Sequence, residues 1–317
     1  MRVLVLGGSG FLGTALINTL VRRGYKEITS TYFTRPYSGN DMVQNLHANL
    51  TDEHIVDEVY RVTSPDIVIN LAAFVGGIGL NQENPGRMFY DNIRIGTFCT
   101  HYAHIHNVKK YVYIGTVCSY PKFTPVPFQE EKMWDGFPEE TNAPYGVVKK
   151  SIGLMLQSYG QQYGLNGMFL IPVNMYGPND DFDERSSHVI PALIKKMIEA
   201  KRENQNVRLW GDGSATREFL YVDDCAEAIV LAVEKHCGPQ PINIGSGNEI
   251  SIKDLAIKIA GLVGFTGDIE WDTSKPNGQP RRCLDTSKAL DCFGFKASTS
   301  LEEGLKATID WYQKNGE

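Results

Sequence analysis

The sequence predicts an α/β fold, a doubly wound parallel sheet with a smaller α/β lobe interleaved with it, and three observations carry that expectation. Short apolar runs alternate with helix-like stretches through the first half of the chain. The runs are continuous rather than alternately apolar and polar, which marks strands buried on both faces. A glycine-rich turn follows the first run at once, at Gly7. Length agrees with two lobes, since 317 residues exceed the ~250–300 at which a single core stops growing.

In order, residues 2–6 read as a strand and residues 11–23 as a helix with Leu12, Ala15, Leu16 and Leu20 on one face. Residues 28–33 form the next strand. Residues 52–62 follow as a helix, with Ile55, Val59 and Val62 spaced for burial. Strands at 67–71, 111–114 and 168–171 enclose helices at 88–105 and 145–163. After Pro172 the texture changes to a turn-rich stretch, Asn174-Met175-Tyr176-Gly177-Pro178-Asn179-Asp180-Asp181. Helices at 189–201, 251–263 and 301–312, the last with Ser300 as N-cap, then alternate with short strands such as 207–210. A helix at 223–234 and a strand at 242–245 read as a return to the first lobe. The expected division is therefore 1–173 with 214–245 for the first lobe, and 174–213 with 246–317 for the second.

Composition is that of an ordinary globular chain, 42% hydrophobic and 21% charged. A formal net charge of −6 argues against a nucleic-acid binder, which carries a basic excess. No apolar run approaches the ~18 residues of a transmembrane helix, and the N-terminal run is too short for a signal peptide. The six cysteines are scattered, with no Cys-x-x-Cys pair and no histidines at zinc spacing. They read as free thiols in a reducing cytosol, and no metal site is expected.

Gly7-Gly8-Ser9-Gly10-Phe11-Leu12-Gly13 lies between the first strand and the first helix. Gly7, Gly10 and Gly13 let the backbone turn tightly and approach a pyrophosphate, while the helix N-terminus offers free N–H groups to it. This predicts dinucleotide binding. An NAD-preferring site carries an acid at the end of the second strand. Here Thr29-Ser30-Thr31-Tyr32-Phe33-Thr34-Arg35 has none, and Arg35 is suited to a 2′-phosphate, so NADP is expected. Asn49-Leu50-Thr51-Asp52 falls where an adenine contact belongs and is equally a helix N-cap. Asn70-Leu71-Ala72-Ala73 ends a strand in small residues, leaving room for the ligand at Ala72 and Ala73.

Tyr145 and Lys149 are four apart on one helix and share a face. A phenol is a weak acid, with a reference pKa of about 10, unless a nearby ammonium stabilises its anion. Thr116, at a strand end, can bond the same substrate oxygen. These are parts for carbonyl reduction, with the proton supplied by Tyr145.

Together with Ala73-Phe74-Val75-Gly76-Gly77-Ile78, Cys118-Ser119-Tyr120-Pro121, Ser187-His188-Val189-Ile190-Pro191, Trp210-Gly211-Asp212-Gly213, Arg217-Glu218-Phe219 and Ser274-Lys275-Pro276-Asn277-Gly278, this set resembles the extended short-chain dehydrogenase/reductase family. Within it, the likeness is to enzymes that epimerise C3 and C5 of a GDP-linked 4-keto-6-deoxy sugar and then reduce C4. The resemblance implies Thr116, Tyr145 and Lys149 as the reductase set and Cys118 with His188 as the acid/base pair of epimerisation. It places Tyr145, Lys149, Phe11, Leu12 and Asn174 beside the cofactor with the residues above. Lys196, Trp210, Arg217, Lys275 and His188 would hold the substrate. Two positions depart from the family pattern: Thr116-Val117 stands where two serines are usual, and Asn49 where Asp is usual.

The chemistry is consistent with that set. C3 and C5 flank the ketone, so inversion there needs one group to remove a proton, another to return it, and donors for the enolate oxygen. A reductase lacking the epimerase step is the alternative. An NAD-dependent C4-epimerase fits poorly without an acid after the second strand, and a turnover-dead binding module fits poorly with Tyr145 and Lys149 present. The helices at 88–105 and 145–163 carry spare apolar surface, including Phe89, Ile93, Phe98, Leu154, Leu156 and Tyr159. The resemblance implies that they pair as a four-helix bundle in a homodimer.

Overall fold

The computed structural model describes residues 1–183, 186–235, 238–275 and 279–316, and the backbone alone for Ile78. Cys237 and the Pro276-Asn277-Gly278 end of one motif lie outside the described residues. The elements run β1 (Arg2–Leu6), α1 (Phe11–Arg22), β2 (Glu27–Tyr32), β3 (Gln44–His47), α2 (Glu53–Thr63), β4 (Ile67–Asn70), α3 (Ile78–Glu83), α4 (Pro85–Ile105), β5 (Lys110–Ile114) and α5 (Ala143–Tyr163). They continue as β6 (Gly167–Pro172), β7 (Asn174–Tyr176), α6 (Val189–Glu203), β8 (Val207–Trp210), β9 (Thr216–Tyr221), α7 (Val222–Lys235) and β10 (Pro241–Ile244). The chain ends with β11 (Glu249–Ser251), α8 (Ile252–Val263), β12 (Ile269–Asp272), β13 (Arg281–Arg282), α9 (Ser287–Phe293) and α10 (Leu301–Asn315).

Seven strands form one parallel sheet in the order β10-β6-β5-β4-β1-β2-β3. Every residue of β4 and β6 is buried, which explains why their sequences are apolar without alternation. Helix α1 packs with α7, and α4 packs with α2 and α5. The sheet winds outward in both directions from β1 and β4, so right-handed crossovers put α1 on one face and α2, α4 and α5 on the other, while α7 shares the face of α1, against which it packs. Leu6 and Asn70 end that central strand pair in register. The crevice beyond them is where sheets of this kind bind ligands.

A second core gathers α6, α8 and α10, with Ile194, Met197, Leu255, Ile259 and Leu305 at its centre. It is flanked by a sheet in which β9 pairs with β7, β11 and β13, and by the two-stranded β8–β12 sheet. Packing divides the chain differently from the sequence reading in two places. Strand β9 pairs within the second sheet, while its Leu220 is buried in the first core, so 216–221 faces both lobes. Leu284, Ala289, Phe293 and Phe295 join the first core, with α9 against α7 and β10, so part of 246–317 also crosses back. A helix as short as α9 has too few turns for its apolar face to stand out in sequence.

Helix ends follow local chemistry. Asp52 caps α2, accepting from the His54 and Ile55 N–H groups, which is the plainer of the two roles its sequence position allowed. Ser300 and Glu303 form a capping box on α10. Helix α5 starts two residues before Tyr145, with Pro144 in its first turn, where the missing N–H costs nothing. Of the spare apolar residues on α4 and α5, Leu156 is fully buried within the protomer, whereas Phe89 and Leu154 are exposed. Among the described residues no helix is long and apolar enough to cross a membrane.

Candidate active site

The glycine loop is fixed from both sides. Gly7 has φ of +77°, a left-handed conformation that suits glycine, and its N–H donates to Thr31 Oγ1 at 3.0 Å. Gly8 N–H donates to the Thr31 carbonyl, so the loop is pinned to the end of β2. Gly10 is exposed at the start of α1, with no side chain capping the helix. A methyl group at Gly13 would fall 2.5 Å from the Gly8 carbonyl oxygen. The loop is thus a tight cradle leading into the uncapped first turn of α1, whose N–H groups suit a dinucleotide pyrophosphate. Phe11 is half-buried and Leu12 buried in the first turn of α1. Ala72 and Ala73 follow β4, half-buried, with the Ala72 backbone against Gly7. Arg35 is exposed just beyond β2. Asn174 lies on β7, its amide reaching toward the Glu218 carbonyl at 3.5 Å.

Beyond β5 the chain makes a single 3-10 turn, Val117–Ser119. Thr116 caps it by accepting the Cys118 N–H at 3.2 Å, which leaves the hydroxyl proton of Thr116 free to donate elsewhere. Cys118 is half-buried. Helix α5 comes down directly on this turn: a side chain at Gly146 would collide with the Cys118 carbonyl oxygen, and Ser119 Oγ donates to the Gly146 carbonyl at 3.1 Å. That contact sets Tyr145 beside Cys118.

Lys149, one helical turn further, is 3% exposed and donates from Nζ to the Ile114 carbonyl at 2.8 Å. Its Nζ lies 5.6 Å from the Tyr145 ring centroid. Desolvation lowers the Lys149 pKa to about 7. Burial raises that of Tyr145, and the neighbouring Cys118 adds to the rise. Burial thus overrides the lowering that the Lys149 charge was expected to produce at the phenol. With a pKa near 7, Lys149 is fully charged only below neutrality.

His188 stands on the other lobe as the N-terminal flank of α6, with no side-chain cap bond. It is exposed overall, yet enough protein surrounds its ring that desolvation lowers its pKa, with Asp181 pulling the other way. The segment before it is tied to the first lobe: Gly77 N–H donates to the Ser186 carbonyl at 2.8 Å. A methyl at Gly77 would sit 2.9 Å from the Ser187 carbonyl oxygen. Four residues on, Asn81 donates to Asn142 Oδ1 at 2.9 Å, at the foot of α5. The short α3 region therefore connects the His188 segment to the Tyr145 helix, a role with no local signal in the chain.

Arg217, on β9, lies opposite Arg282 of β13. Desolvation and the Arg282 charge together lower the Arg217 pKa to about 10, with Glu249 opposing. Its Nη1 donates to the Thr216 carbonyl rather than pairing with Asp223 or Asp224. Asp224 instead accepts from Ser298 and Thr299. Trp210 and Lys275 meet, Nζ lying 5.8 Å from the indole centroid, with Trp210 69% exposed. Lys196 is exposed on α6 and is not brought to these groups by any contact among the described residues. Arg282 and Gln279 were missed in sequence. The strand holding Arg282 is two residues long, and only the fold brings it to Cys118.

The family model described as "NAD dependent epimerase/dehydratase family" matches residues 3–245. The chain belongs to that family. Among curated epimerase/dehydratase relatives, GDP-L-fucose synthase 1 of Arabidopsis thaliana is 38% identical, covering 99% of this chain and 94% of that protein. GDP-L-fucose synthase of Escherichia coli K12 is 36% identical, covering 99% and 97%. Among solved structures, a GDP-mannoheptose C4 reductase from Campylobacter jejuni with NADP bound superposes with a TM-score of 0.84, at 27% identity and 98% coverage of both chains. The epimerase/dehydratase assignment accounts for the sheet order and the glycine loop together.

Proposed function

We propose that the chain is a bifunctional enzyme, a 3,5-epimerase and NADPH-dependent 4-reductase that converts GDP-4-keto-6-deoxy-D-mannose to GDP-L-fucose. The observation that carries the reading is the seating of Cys118 against Tyr145, through the Gly146 contact, in a relative of two GDP-L-fucose synthases at 36–38% identity over nearly all of the chain. A thiol beside the phenol is superfluous for reduction and useful for moving protons at the carbons next to the ketone.

The cradle at Gly7, Gly10 and Gly13, and an exposed Arg35 where an acid would select NAD, fit NADP. When bound, NADPH supplies the reducing equivalent to C4. The remaining steps fall to side chains. Thr116 and Tyr145 hold the C4 oxygen while charge develops on it, and Cys118 and His188 exchange protons at C3 and C5 from opposite sides. Tyr145 then delivers a proton to that oxygen, while Lys149 orients the phenol. Arg217, Lys275, Trp210 and Lys196 are assigned to the sugar nucleotide. Residues 1–173 would bind the cofactor and the second core the substrate. The exposed Phe89 and Leu154 on α4 and α5 fit a homodimer formed through a four-helix bundle, and a monomer by light scattering at micromolar concentration would refute it.

The decisive experiment withholds NADPH and follows deuterium from solvent into C3 and C5 of the 4-keto sugar. Incorporation at both carbons supports the bifunctional reading. Its absence, with NADPH oxidation intact on a pre-epimerised sugar, leaves the second reading, a GDP-4-keto-sugar C4 reductase. The likeness to the Campylobacter jejuni C4 reductase favours that alternative.

A further inference from the structure

One charged side chain near the thiol has no part in the reaction as described. Arg282 belongs to β13, in the second sheet, yet its Nη1 reaches Cys118 Sγ at 3.8 Å across the cleft. The guanidinium is not loose. Its Nε and Nη2 both donate to Gln279 Oε1, at 3.2 and 2.9 Å. Gln279 in turn donates from Nε2 to the Lys122 carbonyl at 2.7 Å, and Lys122 lies four residues after Cys118. The bonds form a closed circuit from the Cys118 loop, through Gln279 and Arg282, back to the sulfur.

We propose that Arg282, braced by Gln279, is a positioning residue that fixes the Cys118 sulfur and stabilises its thiolate form. This rests on the reading of Cys118 as a proton carrier. A thiolate accepts a proton from carbon, whereas a thiol cannot, and a neighbouring guanidinium is a common means of populating the thiolate near neutrality. The other charged or titratable groups around the sulfur do not replace it. Tyr145 on α5 is held neutral by its burial. Lys149 commits its Nζ to the Ile114 carbonyl. Arg217 stands beside Arg282 in register and adds positive potential, with Glu249 opposing it.

Two donors on one amide oxygen, with a third N–H left for sulfur, orient the planar guanidinium in a way that a lysine ammonium does not reproduce. The circuit also spans the lobes, since Cys118 follows β5 of the main sheet and Arg282 lies in the sheet around β9. The thiolate is therefore favoured only when the lobes are in register.

The test is the pH dependence of Cys118 alkylation by iodoacetamide in the full chain, read by mass spectrometry on the Cys118 peptide. Arg282→Gln is expected to move the profile upward by about one pH unit, slowing alkylation at pH 7 about tenfold. Arg282→Lys is expected to recover part of that, because the cation remains. Gln279→Ala is expected to fall between, because the guanidinium loses its brace. Deuterium exchange into the sugar should slow with Arg282→Gln at pH 7 and recover as the pH is raised. An unshifted alkylation profile in Arg282→Gln, or a lysine variant no better than the glutamine one, overturns the proposal. Failure of the underlying reading looks different: Cys118→Ser would retain exchange at both carbons, whatever the thiol's titration.

Discussion

The two sides of the cleft hold their reactive groups by different means. On the main-sheet side, Thr116, Cys118, Tyr145 and Lys149 sit on a strand end and a helix that touch with no room for a Cβ at Gly146. On the other side, His188 is exposed at the start of α6, after a turn-rich segment held to the first lobe by the Gly77–Ser186 hydrogen bond. The first arrangement fixes geometry through packing, and packed cores have little freedom to drift. The second relies on a backbone hydrogen bond to the first lobe and on the start of α6, so His188 has greater freedom. The proposed division of labour matches this. Reduction needs the oxygen, its proton and the cofactor aligned together, while proton return must act at two different carbons.

Substitutions can separate the two sides. Tyr145→Phe should produce the largest loss, lowering NADPH oxidation by about 10²–10⁴-fold, as removal of a general acid does. Solvent deuterium exchange at C3 and C5 should fall less, because Thr116 still holds the oxygen. Equal loss of both activities would mean that the sides are not separable. His188→Asn should show the reverse, with exchange reduced by about 10²-fold or more and reduction of a pre-epimerised sugar retained. NADPH oxidation on that sugar checks it.

Gly77→Ala is the subtler break, because it touches neither reaction directly. The added methyl sits 2.9 Å from the Ser187 carbonyl and must displace the segment leading to His188. A shift approaching 1 Å can cost up to about 10²-fold, so exchange should drop by about tenfold or more while reduction changes little. Comparable losses in both activities would show instead that α3 supports the whole cleft.

The smallest effects are on stability, and their signs differ between the sides. Lys149 has its pKa lowered from 10.5 to about 7 by burial. Between those values the unfolded chain holds the proton, so the stability of the native chain rises with pH over that window. Lys149→Met should therefore gain most relative to the native chain below pH 7, by up to a few kcal/mol, and lose that advantage toward pH 10. Asp180, in the segment before His188, is buried with Oδ2 unpartnered, and desolvation raises its pKa from 3.8 to about 7. Here the folded state holds the proton, so stability falls as pH climbs from about 4 to 7. Asp180→Asn should stabilise above pH 7 and do nothing below about 4. Urea midpoints at pH 4, 6, 8 and 10 would separate the pair.

The parts of this molecule legible in sequence are those in which one stretch carries its own signal. The glycine loop, the burial of β4 and β6, and the four-residue spacing of Tyr145 and Lys149 needed no distant partner. The parts that were not legible depend on contacts between stretches far apart. Arg282 reaches Cys118 from 164 positions away, through a strand of two residues. Gly77 appeared only as one letter of a motif, and its work is visible only against Ser186 and Ser187. The place of β9 is not legible because a six-residue run fits either lobe: it pairs with β7, β11 and β13, while its Leu220 packs in the first core. Lysine electrostatics failed for another reason: spacing reports nearness, not the dielectric around it.

The Gly77–Ser186 hydrogen bond bears also on how the two sides of the cleft stay joined. A single backbone bond contributes about 1 kcal/mol net, so losing this one alone costs little. On the proposed chemistry, its loss would leave His188 held from its own lobe, at the start of α6, and the proton-returning side without that tie to the carbonyl side.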